Sequence, residues 1–228
     1  MNSLKQKKLN ITKLRREKER EQLRQIIIEA AEKLFFSQGF ENTTMEQIAN
    51  EAEYSKGTLY NYYHSKNELY IAIGIKAYSL IIEYTKKFTE IHDSGMKQLM
   101  ATGYAYYEFS KDYPKYATIF HDIALKLPDI SFKSKEKVSE IEKEYLCLGN
   151  TYGEIFMEII NNAKKKNIIR ADKDPFMIVY VLKSITKGLV EDLMQTNKEI
   201  KKKFNLIPDD VIDFTFELIR DGLAPRKE

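Results

Sequence analysis

The feature that most constrains the fold of this chain is an apolar residue at every third or fourth position, a pattern that continues through most of its length. Within residues 17–38 the pattern forms one stripe along a helix that Gly39 would end: Leu23, Ile26, Ile27, Ala30, Ala31, Leu34 and Phe35. No strand-like alternation persists, and four of the five prolines separate the helical segments: Pro114, Pro128, Pro175 and Pro208. The pattern predicts an all-α protein.

Capping residues indicate where the helices begin. Thr44 and Gln47 form a capping box, Ser65 and Glu68 form another, and Asp174 precedes a proline at a first helical position. Together these signals predict two short helices between 44 and 63, followed by helices at about 65–89, 95–111, 115–126, 134–166, 175–197 and 208–222.

The composition is that of an ordinary soluble globular protein, with 43% apolar and 31% charged residues. A net charge of +3 is too small to indicate nucleic-acid binding by itself. The lone Cys147 has no intramolecular partner, no Cys/His pair has zinc-ligand spacing, and the apolar runs are too short to span a bilayer. Because the sequence also begins without an apolar signal core, we expect a cytoplasmic protein with no metal, no cofactor and no membrane contact.

Positive charge is concentrated at the start of the chain. Residues 1–24 hold nine Lys or Arg residues against three Glu residues, and we treat residues 1–21 as a basic arm. Such an arm either contacts phosphates or is a solvated tail, and the sequence leaves both interpretations open.

Residues 44–63 have the dimensions of a helix-turn-helix, with two short capped helices joined by a tight turn. Leu59 and Tyr63, four residues apart, would anchor the second helix to the first. The opposite face would present Lys56, Gly57, Thr58, Asn61 and Tyr62 near a helix N-terminus, a position that favours phosphate and fits a major groove. On spacing alone, two short surface helices of an all-α enzyme or adaptor explain the pattern equally well.

Residues 40–49 and 52–69 resemble the DNA-binding signature of the TetR family of transcriptional regulators. The resemblance covers about residues 22–73, and its most specific parts are Ser-Lys-Gly-Thr-Leu-Tyr at 55–60 and Ser-Lys-Asn-Glu-Leu at 65–69. Two positions depart from the family: Glu53 stands where a turn glycine is common, and Tyr62 replaces a frequent histidine.

The resemblance implies a three-helix DNA-binding domain at 22–73, joined to a helical ligand-binding and dimerisation bundle at 74–228. It also implies the roles of the motif residues. Thr44 would contact phosphate, and Tyr54, Ser55, Lys56, Gly57 and Thr58 would meet the groove. Contacts to phosphates or base edges would come from Tyr60, Asn61, Tyr62 and Lys66. Beside such a reading helix, the basic arm would add affinity without sequence preference.

The second half of the sequence contains no recognisable catalytic motif, so we expect a protein that is not an enzyme. It is rich in aromatic residues at helical spacing, which either form an ordinary core or enclose a small molecule. Since family members usually sense a small molecule here, the residues that we select as candidates for effector binding are Met100, Tyr104, Tyr107, Phe120, Tyr152 and Phe156.

The last two predicted helices are apolar over too wide an arc to be buried on one side only. A four-helix interface between two copies would bury the second side, and Gly188 would permit close approach. We therefore expect a homodimer that binds double-stranded operator DNA as a sequence-specific regulator. The resemblance implies a repressor released from a palindromic operator by a small apolar or aromatic effector. The alternative is an all-helical ligand-binding protein or enzyme whose helix-turn-helix is vestigial.

Overall fold

The computed structural model describes residues 2–93, 95–126 and 138–225, with side chains for 12–93, 95–123 and 138–225. Within these residues there are nine α-helices and no strand: α1 (Asn2–Gln38), α2 (Met45–Glu51), α3 (Lys56–Tyr60), α4 (Lys66–Glu90), α5 (Gly95–Asp112), α6 (Pro114–Lys126), α7 (Glu140–Lys165), α8 (Pro175–Phe204) and α9 (Pro208–Leu223). The predicted fold class, all-α with an N-terminal helix-turn-helix and a C-terminal helical bundle, is confirmed.

The first helix is longer than the apolar stripe predicted, because α1 begins at Asn2 and includes the basic arm. The charged residues of the arm are good helix formers, and two ion pairs join positions one turn apart. Lys13 Nζ lies 3.9 Å from Glu17 Oε1, and Arg15 Nε lies 2.8 Å from Glu19 Oε1. Gly39 follows the helix with a φ of 82°, as the sequence predicted for its C-terminus.

Two helix ends in the second half also differ from the prediction. α8 continues past 197 to Phe204 because no helix breaker intervenes, and Asn205 ends it in a left-handed conformation with a φ of 55°. The first residues of the predicted helix 134–166 lie outside the described residues, and α7 begins at Glu140. At the other end of α8, the Asp174 carboxylate accepts hydrogen bonds from the first-turn amides, as predicted.

The chain divides into two compact units, and the first consists of Met1–Gly74 with Ile123–Glu142. Its core is formed by fully buried side chains from α1 to the start of α4: Ile27, Ala31, Ile48, Leu59, Leu69 and Ile73. Ile26, one of the residues of the predicted stripe, lies at the edge of this core and is 40% exposed. The core fixes α2 and α3 against α1 by apolar packing.

The second unit consists of Ile75–Asp122 and Lys143–Glu228. It contains two buried apolar clusters, one including Ile81, Phe109, Tyr152, Val190 and Phe216, the other including Leu99, Ile160, Ala163, Ile169 and Ile178. Gly103 of α5 is required by this packing, since a Cβ at that position would overlap the Phe216 ring of α9. Among the described helices, none combines the length and apolar character that crossing a bilayer requires.

Candidate nucleic-acid interface

The helix-turn-helix begins at a complete capping box on α2. Thr44 Oγ1 accepts a hydrogen bond from the Gln47 amide at 3.2 Å, and the Thr44 amide donates to Gln47 Oε1 at 2.8 Å. Gln38 Nε2 also donates to the buried Thr43 hydroxyl, which links the end of α1 to the start of α2. The box satisfies two amides that the first turn of a helix otherwise leaves unpaired, so α2 starts at a fixed position.

A tight turn then reverses the chain between α2 and α3. Glu53 is left-handed, with a φ of 58°, at the position where the family often has glycine. The Tyr54 amide closes the turn by donating to the Ala49 carbonyl at 3.0 Å. A residue with a Cβ pays a steric cost in this conformation, so the departure noted in the sequence coincides with backbone strain.

α3 separates a buried side from an exposed side, as the sequence predicted. Leu59 is fully buried and Tyr63 is 4% exposed. The solvent-facing residues of the helix-turn-helix include most of the expected DNA contacts: Thr44, Tyr54, Ser55, Lys56, Gly57, Tyr60 and Asn61, with Thr58 and Tyr62 half-buried beside them. The arrangement presents hydroxyl, amide and ammonium groups together on one surface.

The start of α3 is preorganised by Ser55. Its Oγ accepts a hydrogen bond from the Thr58 amide at 3.0 Å and lies 2.8 Å from Thr58 Oγ1. Lys56 Nζ lies 4.0 Å from Glu46 Oε2, and both side chains are mostly exposed. An exposed pair at that distance is weak, so the Lys56 ammonium can exchange its partner for a phosphate or a base at little cost.

Lys66 differs from the other expected contacts, because its ammonium already has partners within the unit. Lys66 Nζ donates to the Phe40 carbonyl at 2.7 Å and lies 4.2 Å from the centre of the Phe40 ring. An ammonium has three protons, so further bonds to a phosphate remain available. The phosphate contact stays a prediction, whereas the bond to Phe40 ties the start of α4 to the chain after α1.

The structure adds one residue of the arm to this surface. The guanidinium carbon of Arg20 lies 5.9 Å from the centre of the Tyr62 ring, within the range of cation–π contacts. Sequence reasoning missed this contact because the two residues are distant in sequence and meet only in the folded unit. It places the end of the basic arm next to an expected DNA contact.

The six candidate effector residues form two groups in the second unit, with Met100 packed against both apolar clusters. The Tyr104 hydroxyl donates to Asp213 Oδ1 at 2.6 Å, and the Tyr107 hydroxyl donates to Asp209 Oδ1 at 2.7 Å. Burial first, and then the carboxylate, raises the pKa of both phenols. Tyr104 and Tyr107 are therefore hydrogen bonded to residues of α9.

The other three candidates belong to an aromatic group that we call the Tyr78 cluster: Tyr78, Phe120, Tyr145, Tyr152 and Phe156. Tyr78 lies at its centre, 4.9 Å from the Phe120 ring and 5.0 Å from the Tyr145 ring. The fold brings Phe120, Tyr152 and Phe156 together, packed as core residues are, and their contact with an effector stays a prediction. No group of three His, Cys, Asp or Glu side chains within the described residues is placed to hold a metal ion.

Polar residues that the sequence did not single out as functional lie beside this cluster. The Tyr106 hydroxyl is hydrogen bonded to His121 Nε2. Burial and the charges of Lys187 and Lys183 lower the pKa of His121 to about 4, against a smaller opposing effect of Asp122. The imidazole is therefore neutral at pH 7, in surroundings of positive potential.

The similarity to known proteins in sequence is concentrated in the helix-turn-helix region. Residues 27–73 match the model of the family described as bacterial regulatory proteins, tetR family. A stretch of 74 residues, 32% of the chain, is 40% identical to the uncharacterised HTH-type transcriptional regulator YuxN of Bacillus subtilis (strain 168). A stretch of 49 residues, 22% of the chain, is 47% identical to the HTH-type transcriptional regulator HbdR of Aromatoleum sp. (strain CIB). These matches span only about a fifth of each relative's length, 22% and 21%.

The fold is shared over a longer part of the chain. The transcriptional regulator FadR from Bacillus subtilis, solved in complex with stearoyl-CoA, superposes with a TM-score of 0.64. The superposition covers 88% of this chain and 99% of that one at 15% sequence identity, which shows a common architecture and no more. The sequence resemblance to the TetR family is confirmed.

Proposed function

We propose that the chain is a sequence-specific transcriptional repressor, on the premise that residues 27–73 match the model of bacterial regulatory proteins, tetR family. The observation that carries the proposal is the exposed polar surface of α3, in which Ser55, Lys56 and Asn61 face solvent while Leu59 is fully buried. A short helix held by its apolar side and presenting donors on the other can enter a major groove and read base edges.

Replacing Lys56 tests this proposal directly. Duplexes that the protein selects from a random-sequence pool supply the operator, and Lys56→Ala should weaken binding to it roughly 10-fold or more, the effect of losing one good charged contact. The free energy of unfolding should change little because the side chain is exposed. Lys87→Ala removes an exposed lysine from α4 in the second unit and is the control. Equal operator affinity of wild type and Lys56→Ala would contradict the assigned role.

We propose that the regulator acts as a homodimer through α8 and α9. α9 buries Ile212 and Phe216 on one side, yet Phe214 and Leu218 on the other side are 60% and 57% exposed. Exposed apolar residues also follow α8: Phe176, Met177, Tyr180, Val181 and Ile185. In this single chain Gly188 has open space above its Cα, so a second helix has room to approach there. Apolar surfaces of this extent are typical of interfaces between copies.

Sedimentation equilibrium tests the dimer. Phe214→Glu, at a position already facing solvent, should leave the helical content unchanged and shift the mass toward a monomer. Ile91→Glu, at a 75% exposed position after α4, should leave the dimer intact. A monomeric wild type at micromolar concentration would overturn this part of the proposal. A dimer also fixes the separation of two α3 helices, which requires a palindromic operator.

We propose further that a small apolar or aromatic effector binds in the second unit and releases the operator, and that the protein is not an enzyme. The Tyr78 cluster supports the choice of effector, and FadR, which shares the fold, was solved with stearoyl-CoA. An effector acts only through its different affinities for the DNA-bound and released states. An all-helical protein with a vestigial helix-turn-helix would show no preference for the selected duplex over random DNA.

The basic arm is proposed to add contacts to phosphates. Its position supports this, since Arg20 lies against Tyr62 at the expected DNA surface. Deleting residues 1–20 should reduce the slope of log K against log salt for operator binding, because fewer counterions are released. An unchanged slope would show that the arm is a solvated helix only.

A further inference from the structure

Two lysines lie on one side of α8 without an acidic partner. Lys183 and Lys187 are four residues apart, so their side chains are neighbours on the helix surface. Neither forms an ion pair in the part of the chain that the structure describes. Desolvation and the charge of Lys187 lower the pKa of Lys183, and both lysines lower the pKa of His121. Both cations therefore lie within electrostatic range of His121.

One of the two lysines adjoins the Tyr78 cluster. Lys183 Nζ lies 5.8 Å from the centre of the Tyr152 ring, which is 4% exposed. Phe120 and Phe156 pack edge-on against the same ring, at 5.9 and 5.1 Å between centroids. Positive charge is thus held at the edge of an aromatic, apolar surface.

A buried hydroxyl with poor hydrogen bonding lies next to Tyr152. Thr85 is fully buried, and its Oγ1 has no hydrogen-bond partner of ordinary geometry. It neighbours the Tyr152 hydroxyl, whose pKa burial raises and Thr85 partly lowers. Leaving a buried hydroxyl poorly hydrogen bonded is unfavourable, so a ligand atom that completes its hydrogen bonding is favoured.

From this juxtaposition we propose that the second unit binds an amphipathic anion, with its carboxylate or phosphate held by Lys183 and Lys187 and its apolar body against Tyr152 and Phe120. Asp122 and Glu191 supply the nearby opposing charge, since Asp122 raises the pKa of His121 and Glu191 raises that of Tyr106. The inference rests on the proposed regulation by an effector and specifies the chemistry of that effector.

The test compares three ligands with the same ten-carbon chain: decanoate, decyl phosphate and decanol. The full-length protein is titrated calorimetrically without DNA. One or both of the anions should bind at least about 10-fold more tightly than decanol, because hydrogen bonds between charged groups are stronger than those of a neutral hydroxyl. Whichever anion binds more tightly identifies the headgroup as carboxylate or phosphate. Equal affinity of all three ligands, or no binding of either anion, overturns the proposal.

Variants then locate the site. The double change Lys183→Gln with Lys187→Gln should remove the advantage of the anions over decanol, whereas Lys198→Gln, an exposed lysine further along α8, should retain it. Thr85→Val replaces the hydroxyl at nearly constant shape and should weaken anion binding while the fold remains stable. Retention of the anion preference in the double variant contradicts the assignment to these lysines, and unchanged anion binding in Thr85→Val contradicts the part given to its hydroxyl.

DNA binding is measured separately so that the two proposals fail separately. Without ligand, the double variant should bind the selected operator as the wild type does. Absence of operator binding by the wild type would overturn the proposed regulator and leave the calorimetric result standing. Anion binding that leaves operator affinity unchanged would confirm the site and overturn its role in regulation.

Discussion

Replacing Glu53 by glycine should stabilise the first unit. Glu53 is exposed, forms no ion pair among the described residues, and has a φ of 58° in the turn between α2 and α3. A residue with a Cβ costs about 1–2 kcal/mol in this conformation. Glycine removes that cost, but its greater conformational entropy stabilises the unfolded state by about 0.4–1 kcal/mol. The net expectation for Glu53→Gly is a stabilisation of about 0.5–1 kcal/mol.

Glu53→Gln is the matched control, because it removes the same charge and keeps the Cβ. Its free energy of unfolding should equal that of the wild type within about 0.5 kcal/mol, the usual range for surface changes. Hydrogen exchange of the α2 and α3 amides reports the stability of this unit directly, and urea unfolding followed by circular dichroism reports that of the whole chain. Both variants should bind operator DNA more tightly than the wild type at low salt, since each removes a negative charge beside the expected groove-facing residues.

The comparison between the two variants decides the argument. If Glu53→Gly were no more stable than Glu53→Gln, the backbone strain assigned to this turn would be wrong. If operator affinity rose only in the glycine variant, the improvement would come from turn geometry, and the electrostatic explanation would fail.

Two further predictions concern the second unit. Burial and the charge of Lys187 hold the pKa of His121 at about 4, so the unfolded chain, with a His pKa of about 6.5, binds the proton first as the pH falls. The free energy of unfolding should therefore decrease between pH 6.5 and pH 4, by roughly 3 kcal/mol in all, and urea titrations should show a smaller decrease for His121→Gln. Gly103→Ala should destabilise the chain by about 1–3 kcal/mol because its Cβ meets Phe216, whereas Gly153→Ala, which meets nothing within 4 Å, should stabilise α7 by up to about 1 kcal/mol. Matching melting temperatures for the two alanine variants would contradict the packing described.

Local features were predicted well from the sequence because neighbouring residues determine them. The Thr44–Gln47 box and the Asp174 cap form as expected. Ser65 also caps α4 by accepting from the Glu68 amide, but the Glu68 carboxylate accepts from the His64 amide, one residue earlier than a capping box requires. Such a shift depends on the entry angle of the chain, which sequence spacing does not encode.

The missed features depend on residues distant in sequence. Lys66 and Phe40 are 26 positions apart, and their contact follows from the packing of α4 on the turn after α1. Lys183 of α8 and the Tyr152 ring of α7 are likewise distant in sequence and come together only in the folded second unit. The six effector candidates were selected for chemistry and helical spacing, and neither property distinguished Tyr104 and Tyr107, which bond to α9, from the three rings of the Tyr78 cluster.

The ion pairs along the arm have a consequence for how the protein would respond to ionic strength. Lys13 and Arg15 form ion pairs with glutamates one turn away, so part of the arm's positive charge is neutralised before DNA binds. A phosphate that displaces Glu17 or Glu19 binds a cation that was already paired with a carboxylate. The net release of ions on binding is therefore smaller than for a cation that had no partner before. The arm should thus respond to salt as a segment of lower valence than its eight basic residues suggest, and its contacts with DNA should persist at ionic strengths that detach an uncompensated basic tail.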